Sequence, residues 1–178
     1  YSALGLTDLA LGVYEKMLSR NPRHAMACFK CAYLHEAAGR FDDARLFYRH
    51  AVEAKAAFSE AWNNLGNVCR LLGKKQEAYE AYEKAIELRA DFAEAHNHLG
   101  VLLLGLDSPN QQAALVCFEK AIACRADYPE ARVNLGATLV GLGRVAEGIP
   151  HYERALQIKP DYAYAWNNLG AIYYQSGL

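Results

Sequence analysis

Three side chains with the chemistry of metal ligands share one short stretch, Cys28-x-x-Cys31-x-x-x-His35. Spacings of three, four and seven put all three on one face of a helix, and zinc accepts thiolate and imidazole but needs about four ligands. The stretch supplies no fourth, and buried cysteine serves equally well as a small hydrophobe. Their spacing is also that of a packing stripe, so they are read as core and no metal is assigned. His96 and His98, two apart, point about 200° away from each other on a helix and cannot easily share an ion; His96 is read as packing. Cys117 and Cys124, seven apart, have no activating neighbour in the sequence. No Gly-rich phosphate loop, nucleophile elbow or strand-borne carboxylate pair is present. The chain is read as non-catalytic, with no cofactor.

Amides are the other candidate chemistry. The stretch Glu60-Ala61-Trp62-Asn63-Asn64-Leu65-Gly66 returns as Tyr164-Ala165-Trp166-Asn167-Asn168-Leu169-Gly170. Worn copies lie between them, Glu94-Ala95-His96-Asn97-His98-Leu99-Gly100 and Glu130-Ala131-Arg132-Val133-Asn134-Leu135-Gly136, with a weaker one from Met26 to Ala32. A fixed period of this size marks a stacked repeat array. Asn is a mediocre residue in the middle of a helix. Its recurrence has two readings, inheritance by duplication or a ladder of donors and acceptors matching an extended peptide backbone.

Those amides need elements to position them. Numbering each repeat so that Ala25, Ser59, Ala93, Pro129 and Ala163 stand at position 1, positions 4, 7, 8 and 11 form one stripe on a first helix, A. They read Cys28/Cys31/Ala32/His35, Trp62/Leu65/Gly66/Cys69, His96/Leu99/Gly100/Leu103, Arg132/Leu135/Gly136/Leu139 and Trp166/Leu169/Gly170/Tyr173. The small residue at position 8 lets a neighbouring helix come close. Position 15 carries Gly5, Gly39, Gly73, Gly143 and Gly177, where a helix-ending turn is expected. A second helix, B, follows with a small–aromatic–small stripe at positions 20, 24 and 27 in most units, as in Ala78/Tyr82/Ala85. Its end falls near position 32, where Pro22 and Pro160 prevent continuation. A ring at position 34 (His24, Phe58, Phe92, Tyr128, Tyr162) reads as packing between units.

On a helical wheel the stripe centres near 350° and position 6 falls near 200°, so position 6 points away from helix B, with positions 2, 9 and 13 within about 60° of it. Position 6 holds Lys30, Asn64, His98, Asn134 and Asn168; position 5, on the flank, adds Asn63, Asn97 and Asn167. Tyr33 and Asn67 at position 9 and Arg70 at position 12 complete the set. These eleven residues are the candidate peptide-binding face.

Anchors that recur together in five registers resemble the tetratricopeptide repeat over essentially the whole chain. The resemblance implies an all-α, right-handed superhelical solenoid of antiparallel helix pairs, with helix A lining a concave face where partner peptides lie. It divides residues 1–178 as a single array, with full repeats at 25–58, 59–92, 93–128 and 129–162 and partial repeats at 1–24 and 163–178. Asn64, Asn134 and Asn168 are similar to the Asn ladder in the arm of O-linked N-acetylglucosamine transferases; His98 and Lys30 depart from it. The family's carboxylate clamp is not matched, because Phe29 and Tyr33 stand where its first helix offers Lys and Asn. Two departures concern packing. The unit 93–128 has two extra residues around Asp107-Ser108-Pro109-Asn110, with Ser108 expected to cap helix B, Pro109 at its first position and Gln111 completing a capping box. Pro150 falls a turn into its helix B, where it should remove a hydrogen bond or delay the start, and Gly148 should weaken the same turn.

Composition sets the bounds. Lys+Arg 19 against Asp+Glu 20 leaves a net charge of −1, without the basic surplus that nucleic-acid binding asks for. No apolar run approaches the ~20 residues of a membrane span. Five cysteines in a helical array do not read as a disulfide framework, and a reducing intracellular, cytoplasmic setting is the simpler expectation. The sequence starts in mid-pattern and reads as a fragment. Function is expected to be non-catalytic binding of an extended protein or peptide segment in the concave groove. The alternatives are the substrate-recruiting arm of an O-GlcNAc-transferase-like enzyme with its catalytic domain elsewhere, and a scaffold that self-associates through its end repeats.

Overall fold

The computed structural model describes residues 3–175. Gly177, expected in a turn, and Tyr1 lie outside them. Ten α-helices occupy the described residues: α1 (Ala3–Arg20), α2 (Ala25–Ala37), α3 (Phe41–Ala54), α4 (Ser59–Leu71), α5 (Lys75–Leu88), α6 (Ala93–Leu104), α7 (Gln111–Cys124), α8 (Pro129–Gly141), α9 (Val145–Ile158) and α10 (Ala163–Gln175). They fall into two compact units, Tyr1–Ala90 and Asp91–Leu178. In the first, α2 pairs with α3 and α4 with α5, while α1 packs on α2 and α3 on α4. In the second, α6 pairs with α7 and α8 with α9, α7 packs on α8, and α10 lies against α9.

Each pair is closed by one ring. Tyr48, Tyr82, Phe118 and Tyr152, all at position 24, are no more than 1% exposed. Burial of each such ring contributes about 1.5–3 kcal/mol. The room comes from position 8. A Cβ on Gly66 would lie 2.6 Å from the Tyr82 ring, on Gly100 2.5 Å from Phe118, and on Gly136 3.2 Å from Tyr152. The unit that carries Ala32 at this position buries it completely. Position 8 is therefore small because a ring fills the space a side chain would need.

The turns between paired helices follow the expected glycines in three cases. Gly39, Gly73 and Gly143 adopt φ of 73°, 72° and 78°, the left-handed region that favours a residue without Cβ. Gly5 does not turn the chain: it lies inside α1, where a single glycine costs only about 1 kcal/mol against alanine.

Two local expectations are corrected. Helix α7 is capped by Asn110, whose side chain accepts from the Ala113 amide at 3.0 Å. Ser108 and Pro109 precede the cap, and Gln111 is the first helical residue instead of the closing member of a box. Asn is as good an N-cap as Ser, and capping there lets the inserted residues stay in the loop. Helix α9 starts at Val145, so Pro150 does not delay it, although the Ala146 carbonyl loses its i+4 donor. Gly148 has a packing purpose: a Cβ there would meet Val140 Cγ2 at 2.7 Å and the Gly136 carbonyl at 2.9 Å. The α8 and α9 backbones approach closely at that point, closer than the buried alanine found at position 20 elsewhere would allow.

Recurring polar ties hold the pairs at their ends. Arg89 reaches Glu60 at 2.8 Å and Arg125 reaches Glu94 at 2.9 Å, each joining the end of a B helix to the start of its own A helix. Exposed on both sides, such pairs contribute roughly 0.2–1 kcal/mol each. The same position places Lys55 over Phe58, Arg125 over Tyr128 and Lys159 over Tyr162. At the α2–α3 turn, buried His35 stacks on Phe47 and accepts a hydrogen bond at Nδ1 from Arg40 Nε, 2.9 Å away. Burial and the Arg40 charge push the His35 pKa below its ordinary value, against smaller opposing effects of Asp43 and Glu15. Burial, then Arg132, does the same to His151.

Three outcomes follow. Gly100→Ala should lower stability by about 1–3 kcal/mol through overpacking of Phe118, whereas Gly170→Ala, with nothing within 4 Å of the new Cβ, should raise it by up to about 1 kcal/mol; urea unfolding of both variants checks this. Because His35 and His151 titrate below the unfolded value of about 6.5, stability should be full above that pH and fall as pH drops through their lowered values. Thermal melts from pH 7.5 to 5 should show this loss, reduced in His35→Gln. Amide exchange in the first turn of α9 should be faster than in the first turn of α5, since Pro150 removes one bond of the ladder.

Candidate functional site

The candidate residues stand on the A helices, and the structure sorts them by depth. In the first unit Lys30 and Tyr33 on α2 are exposed, and Asn64, Asn67 and Arg70 on α4 are half-buried. Asn63 is 5% exposed. In the second unit His98 on α6 and Asn134 on α8 are half-buried, as is Asn168 on α10, and Asn167 is exposed. Asn97 is 5% exposed. Asn63 and Asn97 are thus core residues and not part of an open face. Position 5 is where α2 carries Phe29, whose ring meets those of Tyr48 and Phe58, and where α8 carries fully buried Val133. A helix in a stack packs along two flanks, and the single stripe read from the sequence accounted for only one.

The buried amides serve the outer ones. Asn63 Nδ2 donates to Asn64 Oδ1 at 3.2 Å, Asn64 Nδ2 donates to the Tyr48 hydroxyl at 3.3 Å, and that hydroxyl donates to Glu36 at 2.7 Å. Burial, together with the Glu36 contact, pushes the Tyr48 phenol well above its ordinary range. The next tyrosine repeats the device: Tyr82 donates to Asn67 Oδ1 at 2.8 Å, and burial raises its pKa to about 12 against the lowering effect of Arg70 beside it. In the second unit Asn134 Nδ2 donates to Asn97 Oδ1 at 2.9 Å, and Asn168 Nδ2 donates to the Tyr164 carbonyl at 2.7 Å. The rings that fill the helix pairs therefore also steer polar groups on the A-helix face, and where Phe118 offers no hydroxyl another amide takes over.

Exposed apolar side chains share that face in the first unit. Met26 at position 2 is 48% exposed and Leu71 at position 13 is 52% exposed. Positions 2 and 13 lie on the outward side of the wheel, so their place in the repeat marks these residues for the same face.

The would-be metal ligands have other occupations. Cys28 Sγ lies 3.9 Å from the Pro22 carbonyl, and burial pushes the Cys28 thiol up. Burial raises Cys31 to about 11, so neither is a ready thiolate. His35 Nδ1 is taken by Arg40. Among the described residues no three His, Cys, Asp or Glu side chains converge as a metal site.

A recurrence that the stripe pattern concealed appears at position 4. Trp62 Nε1 donates to the Ala56 carbonyl at 2.9 Å, Trp166 Nε1 to Pro160 at 2.9 Å, and Arg132 Nη2 to Ala126 at 2.8 Å. Each donates to the carbonyl six residues back, in the turn just past the preceding B helix. Trp166 is 55% exposed, so its indole is a latch over the chain and not a core filler. Trp and Arg share only a donor and a flat face, which is what the latch needs.

Among the described residues no helix is long and apolar enough to cross a membrane. The chain has the fold of several solved structures. It is similar to MamA, with 24% identity and a TM-score of 0.79 over 89% of this chain and 92% of that one. YrrB, described as a TPR protein with an unusual peptide-binding site, matches at 21% identity and a TM-score of 0.75, over 94% of this chain and 85% of its own. PilF of Pseudomonas aeruginosa matches at 19% identity and 0.84, over 99% and 81%. No curated protein matches the chain. Tetratricopeptide-repeat models match residues 1–59 and 59–92, and a TPR-repeat model matches 140–177. Helix pairs closed by a ring on a small residue, the likeness to these all-α solenoids and family matches over well over half of the residues agree: the chain belongs to the tetratricopeptide-repeat family.

Proposed function

We propose that the chain is a non-catalytic protein-interaction module whose A-helix face receives an extended segment of a protein partner. The fixed orientation of the face amides carries the reading. Asn134 and Asn168 have their NH2 groups tied down internally, at 2.9 and 2.7 Å, which leaves each amide oxygen as an oriented acceptor. Asn64 is held by Tyr48 at its NH2 and by Asn63 at its oxygen, which has a second lone pair for a partner. An oriented acceptor suits a backbone N–H of an extended chain and costs little side-chain entropy on binding. The peptide-binding site named for YrrB, a protein of the same fold, supports the choice of ligand class.

Neighbouring side chains supply the selectivity. Lys30 and Arg70 favour a carboxylate on the partner, and Met26, Tyr33 and Leu71 offer apolar contact within the first unit. The same three amides carry the resemblance to the arm of O-GlcNAc transferases, and the proposal extends to a substrate-recruiting role for such an enzyme.

The triple variant Asn64→Ala, Asn134→Ala, Asn168→Ala separates a working ladder from a relic of duplication. At about 1 kcal/mol per hydrogen bond, loss of three should weaken binding to an array of unbiased extended peptides roughly 100-fold. Helical circular dichroism should stay near that of the wild type. Equal retention of peptides by both proteins would remove the ladder from the mechanism.

A further inference from the structure

The latch at position 4 has a weak counterpart on α2. Trp62, Arg132 and Trp166 each give an N–H to the carbonyl six residues back, at 2.9, 2.8 and 2.9 Å. Position 4 of α2 is Cys28, and the carbonyl six residues back is that of Pro22. A thiol faces it there from 3.9 Å, and a thiol is a poor donor.

The space that a larger side chain would take is open. A cavity of about 430 Å³ stands over Cys28, between the end of α1, the Pro22–Arg23 turn and α3. Leu18, Phe47 and Ala54 form its apolar wall. One repeat on, the cavity between α3, α4 and α5 has Val52 at the position of Leu18 and Ala81 at that of Phe47. Trp62 lines that cavity, which holds about 260 Å³. The roomier of the two is therefore the one in which position 4 is small.

Its chemistry suits a neutral, flat ring with one donor at the edge. The apolar wall offers contact to the ring, and the Pro22 carbonyl offers an acceptor. Arg23 and Glu53 bring one charge of each sign to the lining, so a guest cation gains no net attraction. Arg23 also favours an aromatic face, through the ring quadrupole. An indole meets all of these demands, and it is the group that Trp62 and Trp166 place at position 4 in their own repeats.

We propose that this cavity binds a tryptophan side chain of a protein partner, with the indole against Phe47 and its Nε1 donating to the Pro22 carbonyl. The partner thereby supplies from outside the latch that Trp62 supplies from within. Cys28 at position 4 and Lys30 at position 6 point about 160° apart on α2. The site is thus separate from the amide-bearing face and does not rest on the peptide-binding reading.

Amide chemical shifts of the isotope-labelled chain, titrated with a capped Gly-Gly-Trp-Gly-Gly peptide, test the proposal. Saturable shifts are expected at Leu18, Arg23, Phe47 and Ala54. A peptide methylated at the indole nitrogen keeps the ring, loses the donor and should bind roughly fivefold more weakly. Cys28→Trp fills the cavity from within and should abolish the shifts. Ala54→Leu installs the residue that α5 carries as Leu88 at the same position; it narrows the cavity and should weaken binding, which keeps the test open if Cys28→Trp loses helicity. A wild type without shifts at these amides overturns the proposal, as does wild-type affinity in either variant. Equal binding of the methylated peptide, or equal or tighter binding of the counterparts with Phe or Arg for Trp, overturns it too.

Discussion

Everything in the fold depends on one contact, the ring at position 24 filling the space left by a missing or minimal side chain at position 8. Separations of 2.5 and 2.6 Å between a hypothetical Cβ and the rings of Phe118 and Tyr82 leave no room for anything larger than glycine at those sites. The constraint is reciprocal, since removing the ring would leave a void and enlarging the glycine would expel the ring. It also explains the spacing of the repeat, which must bring one small residue and one aromatic together in every helix pair. The α8–α9 pair meets the same demand differently: Gly148 lets the backbones close in, and the ring of Tyr152 sits slightly farther from Gly136.

Polar groups are organised around that contact. The hydroxyls of Tyr48 and Tyr82 emerge at the A-helix face and meet Glu36, Asn64 and Asn67. A residue chosen for packing thereby fixes the direction of residues that a partner can touch. Position 4 follows a similar economy, with Trp62, Arg132 and Trp166 each supplying a donor to a carbonyl just past a helix end. Those carbonyls stand one residue past the C-cap of each B helix, and latching them ties the end of one repeat to the beginning of the next.

Much of this was legible in the residues. The period, the two helices of each repeat, three of the turn glycines and the small–aromatic pairing all come from spacing, because a side chain's direction on a helix follows from its place in the chain. Capping was less legible. Ser108, Pro109 and Asn110 could all begin a helix, and the choice of Asn110 depends on where the insert is absorbed, which local preference does not decide. Gly5 illustrates the same limit, since glycine permits a turn without requiring one. Asn63 and Asn97 show a third kind of gap: both are polar in sequence and buried in space.

By itself, then, the sequence determined the all-α repeat class, the stripe that closes each pair and the helix that bears the candidate amides, all of which are properties of one helix and its immediate partner. The tertiary structure alone decided which of those amides are open. Asn63 lies in the core while Asn64 lies at the face, one residue on, because burial along the second flank is set by the neighbouring pair. It also decided which way each amide points, since a side-chain amide takes its orientation from whichever donors and acceptors the packing brings near.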